Sequence, residues 1–183
     1  AQGSEMSRPT FSAYLAALRN LSIVEDLDAW EPSLRSRARL SRTPKRYFVD
    51  PSLATAALGA SPALLLRDMP TLGMLFEALC IRDLRVYAQK SNGKVFFYRD
   101  NSGLEADAVV TLRDGRWGLV EIKLNQSQTD AAAESLGKVA AKIDQTVMGA
   151  PSFMLVVTAD GYAYRRNDGV YVAVSYTHLR AHE

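Results

Sequence analysis

The stretch GLEADAVVTLRDGRWGLVEIKL, residues 103 to 124, constrains the chain more than any other. Two apolar runs flank Arg-Asp-Gly, the pattern of two strands joined by a tight turn. Glu105, Asp107, Glu121 and Lys123 interrupt those runs, and the turn decides which of the charges meet. A two-residue loop of Asp114-Gly115 would set Ala108 opposite Glu121 and point Asp107 to the wrong face. A three-residue loop of Arg113, Asp114 and Gly115 sets Asp107 opposite Glu121 and Glu105 opposite Lys123. Such hairpins need a left-handed residue at the end of the loop, and Gly115 stands there, so the spacing predicts the three-residue loop. Alternation then puts Glu121 and Lys123 on one face of their strand and Ile122 on the other.

Two carboxylates held about 5 Å apart across a strand pair repel each other unless a cation intervenes. Mg²⁺ prefers one or two carboxylates and keeps several waters, so an Asp107–Glu121 pair is expected to hold it with positions left open for a phosphate and a water. Lys123 would stand beside that ion, placed to orient the water or to stabilise transition-state charge. The bland alternative is an exposed sheet face with cross-strand salt bridges. A third carboxylate bears on the choice: Glu77 is the only charged residue from Pro70 to Ile81, a segment with helical spacing. A lone buried carboxylate costs several kcal/mol, so Glu77 is expected to be aimed at a cation and to complete the site.

Composition narrows the remaining possibilities. With 183 residues, 48% hydrophobic and 23% charged, the chain can build a proper core as one domain with a small appendage. A net charge of +2 is too mild to mark a nucleic-acid binder, so local clusters must carry any such reading. The single cysteine, Cys80, excludes an internal disulfide framework and a CxxC zinc site. No stretch approaches the roughly 18 apolar residues of a membrane span, which leaves a cytoplasmic protein as the default expectation. A GxxxxGK[ST] loop is missing, and Ser91-Asn92-Gly93-Lys94 reads as a turn, so this chain is not expected to bind ATP by that route. The opening AQGSEMSRPT, without an initiating methionine, reads as a piece of something longer.

The far end, VSYTHLRAHE (174–183), resembles translated read-through of a sequencing adapter and is expected to pack poorly. His178 and His182 have the i, i+4 spacing of helical metal ligands but fall within it. Without them the chain has no histidine, and its chemistry falls to carboxylates and lysines.

Along the chain, Phe11, Tyr14, Leu15, Leu18 and Leu21 give a helix, followed by a strand-like stretch at 23–27; together they read as part of a winged helix. The run 33–46 carries Arg35, Arg37, Arg39, Arg42, Lys45 and Arg46 with no acid. It is either a solvated loop or a set of DNA-backbone contacts, and the domain boundary is placed after residue 42. Beyond it the patterns predict a short helix from Asp50-Pro51 to Leu58, a helix from about Thr71 to Tyr87, and strands at Val95–Arg99, Glu105–Leu112 and Gly118–Leu124. A helix over Asp130–Val147, a strand Phe153–Thr158 and a last hairpin through Tyr171 follow. The last helix would bury Leu136, Val139, Ala140 and Ile143 and leave Lys138, Lys142 and Gln145 on a face able to meet phosphates.

A helix with Glu77, then Asp107 on one strand and Glu121-Ile122-Lys123 on the next, followed by a helix and a strand, resembles the PD-(D/E)xK nuclease superfamily. More closely, TPKRYFVDPSLATAALG (43–59), GMLFEALCIRDL (73–84), FFYRD with GLEADAVV (96–110) and GLVEIKL (118–124) resemble the C-terminal domain of a family of bacterial AAA-type ATPases, in which an ATPase module and a winged helix come first. The resemblance implies an α/β, restriction-endonuclease-like αβββαβ core with a mixed central sheet over residues 43–173. It also implies metal-dependent phosphodiester hydrolysis on DNA with Mg²⁺ or Mn²⁺. Asp107, Glu121 and the Ile122 carbonyl become the metal ligands, Lys123 the catalytic lysine, and Glu77 an accessory acid. The position that often holds proline before the aspartate is Glu105-Ala106 here. The alternative is a non-catalytic DNA- or protein-binding module that regulates an upstream ATPase.

Overall fold

The computed structural model describes residues 6–32 and 43–175. Helix α1 (Arg8–Asn20) starts where Ser7 Oγ accepts from the Thr10 amide and Pro9 occupies the first turn. A two-stranded antiparallel ribbon follows, β1 (Val24–Leu27) with β2 (Lys45–Phe48). Asp50 caps α2 (Pro51–Leu58), which ends at Gly59 in the left-handed conformation, φ 58°. After the single turn α3 (Pro62–Leu65), Asp68 caps the 22-residue α4 (Met69–Lys90) through the Thr71 amide. That cap moves the helix start two residues ahead of the position the apolar spacing suggests.

The main sheet has six strands: β3 (Lys94–Arg99), β4 (Glu105–Thr111), β5 (Trp117–Lys123), β6 (Phe153–Thr158), β7 (Tyr164–Arg165) and β8 (Tyr171–Val174), in the order β3-β4-β5-β6-β8-β7. It is mixed, as expected, with β5 parallel to β6 and β6 parallel to β8. Helix α5 (Thr129–Lys142) makes the crossover from β5 to β6, and the short α6 (Gln145–Met148) follows it. The order α4-β3-β4-β5-α5-β6 is the αβββαβ arrangement the patterns predict. The helix expected over 130–147 instead breaks at Ile143, which is extended (ψ 133°) and 5% exposed. Burying that side chain ends the helix, so Gln145 does not share a helix face with Lys138 and Lys142.

Apolar residues on the two sides of the sheet form two clusters. On one, Phe76, Cys80 and Ile81 of α4 pack with Phe97, Ala108, Val120 and Ile122. On the other, Ala132, Ala133, Leu136, Val139 and Ala140 of α5 pack with Val109, Trp117, Leu119 and Val156. The segment after β1 joins both: Leu27 and Ala29 enter the first cluster and Trp30 the second. Residues 28–30 run beside β3, with Phe97 N donating to Asp28 O and Trp30 N to Phe97 O. The β1–β2 ribbon and these bonds therefore tie both sides of the boundary drawn after residue 42 into one packed unit. Helix α1, by contrast, buries none of its residues.

Two features of β4 position the site. Its ladder with β5 runs Thr111↔Trp117 to Ala108↔Val120, and Leu112 N donates to Arg116 O, so the loop is Arg113, Asp114 and Gly115 as predicted. Gly115 takes φ 90°, which a side chain would strain. Against β3, however, the register shifts from Phe96↔Val109 to Tyr98↔Ala106, leaving Asp107 and Ala108 opposite Phe97 alone. This extra residue is a β-bulge, which twists a strand and re-aims its side chains. Strict alternation through Asp107, assumed from the sequence, does not hold.

Candidate active site

The open end of the β4–β5 hairpin holds the buried charges. Asp107 is 6% and Glu121 5% exposed, on strands whose other buried residues are Ala, Val, Leu, Ile and Trp, with glycine at 118. The β4–β5 pairing stops at Ala108↔Val120, and there the Asp107 carboxylate takes the place of a backbone acceptor: Ile122 N donates to Asp107 Oδ2 at 2.8 Å. Glu121 Oε1 accepts from Lys123 Nζ at 2.8 Å. Glu121 Oε2 is buried without a hydrogen-bond partner. Glu105 does not join Lys123; it pairs with Arg99 across β3–β4, 3.3 Å away.

Electrostatics follow from this burial. Desolvation, then the neighbouring Asp107 charge, push the Glu121 carboxyl up from an ordinary 4.5 to about 7, with Lys123 and, more weakly, the Asp107 backbone amide pulling against them. Asp107 is raised too, first by burial and then by Glu77, while the Ile122 amide, Lys45 and Lys123 oppose the rise. Burial lowers the affinity of Lys123 for its proton, but the hydrogen bond to Glu121 and the charges of Glu121, Asp107 and Glu77 outweigh it and hold the ammonium charged.

Glu77 reaches the same locality from α4, aimed at a cation as expected, though that cation is a side chain. Lys45 Nζ lies 3.2 Å from Glu77 Oε1 and 3.6 Å from Asp107 Oδ1, and 5.7 Å from the centre of the Phe97 ring. Tyr47 Oη donates to the same Glu77 oxygen at 2.5 Å. Burial and the bond to Glu77 raise the Tyr47 phenol above its ordinary range, keeping it a donor. The sequence places Lys45 among the basic residues of a loop. Its signal was period two: Lys45 and Tyr47 share one face of β2, partly buried, while Arg46 and Phe48 are more exposed.

The donor set suits a small hard cation only in part. A buried carboxylate oxygen without a partner and a second buried carboxylate whose charge acts on it fit an oxygen-ligated divalent ion. Among the described residues, however, no three acidic, histidine or cysteine side chains are gathered closely enough to hold a metal, so Glu77, Asp107 and Glu121 do not together form a ligand set.

The residues expected to meet phosphates are engaged within the chain. Lys138 pairs with Glu134 at 2.7 Å, Lys142 with Asp100 and Ser102, and Gln145 donates to Ala140 O. Arg35, Arg37, Arg39 and Arg42 lie outside the described residues, as do residues 176–183 with both histidines, whereas Val174, the first residue of the stretch expected to pack poorly, is 1% exposed as the last residue of β8. Clefts of about 320 and 380 Å³ open near the loop end of the hairpin, around Leu112, Arg116 and Trp117 and around Lys94 and Arg113; neither includes the carboxylates. Among the described residues no helix is long and apolar enough to cross a membrane.

The fold and site thus define an α/β domain with two buried carboxylates and a lysine at the open end of a central hairpin. The family model described as Domain of unknown function (DUF4143) matches residues 72–179, more than half of the chain, and the chain belongs to that family. A second model, Domain of unknown function (DUF8612), matches residues 1–64. No curated protein and no solved structure matches the chain.

Proposed function

We propose that this domain is a nuclease-like module that binds Mg²⁺ or Mn²⁺ at Asp107, Glu121 and the Ile122 carbonyl and hydrolyses phosphodiester bonds in DNA. Domains of this family commonly stand C-terminal to an AAA-type ATPase module, and this one is proposed to work beside such a partner. The observation that carries the reading is Glu121 Oε2, buried and without a partner next to a second buried carboxylate. A protein leaves such an atom only where something outside the chain completes it or where stability is sacrificed.

When bound, the divalent ion supplies charge neutralisation of the phosphate and activation of a water. Lys123, held by Glu121, orients that water and stabilises charge on the phosphate oxygens. Glu121 and Asp107 would hold the ion, and the Ile122 amide fixes Asp107. In this reading Glu77 is a positioning residue for Lys45 and Tyr47.

The test is a nicking assay with Mg²⁺ or Mn²⁺ on single-stranded, duplex and branched DNA, using the protein together with its ATPase module. Cleavage should be lost in Glu121→Gln. Lys123→Met should keep metal binding and lose rate, by a factor on the order of 10² or more. A second reading is favoured by Lys45, which already neutralises part of the acidic charge: a non-catalytic DNA- or protein-binding module that regulates the ATPase. A wild-type domain that binds DNA but never cuts it selects that reading.

A further inference from the structure

We infer that Lys45 is a built-in competitor for the divalent cation, an internal ammonium that neutralises Asp107 and Glu77 in the ion-free protein and must withdraw from Asp107 when the ion binds. This rests on the proposed cation site and adds its regulation. The juxtaposition is specific. Among the described residues Lys45 is the lysine within 4 Å of both Glu77 and Asp107, and β2 delivers it together with Tyr47. The Tyr47 hydroxyl holds the same Glu77 oxygen that Lys45 approaches, so Glu77 is kept in place whether Lys45 stays or leaves. The Phe97 ring face lies below the ammonium and favours its charge there.

Lys45 is closer to Glu77 than to Asp107, 3.2 against 3.6 Å, so the Glu77 contact can persist while the Asp107 contact opens. The acids and the competitor also come from different parts of the chain. Lys45 and Tyr47 lie in the segment matched over residues 1–64, whereas Glu77, Asp107, Glu121 and Lys123 lie in that matched over 72–179. The ribbon β1–β2 is bonded to α4 through Arg85, which reaches Glu25 and the Asp26 carbonyl. Movement of the N-terminal segment would therefore move the ammonium and set cation affinity.

A positive charge this close to a cation ligand both occupies it and repels the ion, so its removal should tighten binding by roughly tenfold or more. The experiment is Mn²⁺ titration by calorimetry of the wild-type chain, Lys45→Gln, Lys45→Arg and Glu121→Gln at one pH, each checked for a cooperative melt. The expected result is tighter Mn²⁺ binding in Lys45→Gln, near-wild-type binding in Lys45→Arg, and loss of binding in Glu121→Gln. Equal or weaker binding in Lys45→Gln overturns the competitor role and leaves the cation site standing. Absence of Glu121-dependent binding in both wild type and Lys45→Gln overturns the cation site and the competitor with it. Should Lys45→Gln fail to fold, the wild-type chain decides: with its lysines ¹³C-dimethylated, the Lys45 methyl resonance, assigned by its loss in Lys45→Arg, should shift on saturation with Mg²⁺. A Lys45 resonance unmoved by Mg²⁺ at saturation overturns the inference.

Discussion

The two ends of one hairpin carry similar side chains and treat them in opposite ways. At the loop, Asp114 and Arg116 pair at 2.8 Å with side chains 52% and 65% exposed. The Arg116 side chain and amide hold the Asp114 carboxyl below its ordinary range. At the open end, Glu121 pairs with Lys123 at the same 2.8 Å, yet its carboxyl is pushed up to about 7 and one oxygen is left without a partner. An equal contact distance therefore says little; burial decides whether a charge is carried easily or under protest. The loop pair is surface chemistry that helps a turn close. At the open end it is the ionised Glu121 carboxyl that opposes folding, even with Lys123 beside it, which is the mark of a group kept for another purpose.

The largest expected effect sharpens this contrast. In the metal-free protein at pH 8, Glu121→Gln should raise stability by about 2–3 kcal/mol, an order-of-magnitude figure from the shift between 4.5 and about 7. Differential scanning calorimetry would show a melting temperature higher by roughly 5 °C or more. The sign follows from proton binding. The folded carboxyl holds its proton more tightly than the unfolded one, so Glu121's contribution to stability is fully present below pH 4.5 and is lost as the pH rises through about 7. The advantage of the glutamine should therefore vanish near pH 4. A glutamine variant less stable than wild type at pH 8 would place Glu121 in the same class as Asp114.

A smaller effect concerns the turn that brings the strands into register. Gly115→Ala meets no neighbouring atom but must adopt φ 90°, so it should cost about 1 kcal/mol in chemical denaturation. A neutral result would mean that the loop relaxes to another geometry, and with it the register that sets Asp107 near Glu121. Smallest of all, Asp114→Ala should move the melting temperature by no more than about 2 °C, and high salt should erase even that.

The hairpin was legible because its loop length rests on one residue type at one position: Gly115 alone selects between two registers. The carboxylates were legible because charges stand out within apolar strands, and Glu77 within an apolar helix. What escaped had no such mark. The bulge at Asp107–Ala108 arises from how β4 meets β3, and neither residue is a glycine or proline that would announce it. Lys45 looked like one more cation in a basic run, because its inward turn depends on β2 pairing with β1 across 17 intervening residues, from Leu27 to Lys45. The break at Ile143 is likewise tertiary: a helix-compatible residue leaves the helix because the core takes its side chain.

One measurement addresses the central claim that Glu121 is buried for the sake of an external cation: the melting temperature at pH 8 with and without millimolar Mg²⁺ or Mn²⁺, in wild type and in Glu121→Gln. An ion that binds only the folded state stabilises it by mass action. The account predicts that the ion raises the wild-type melting temperature by several degrees, removes most of the variant's advantage, and leaves the variant itself unmoved. Equal shifts in both proteins, or none in either, would contradict it.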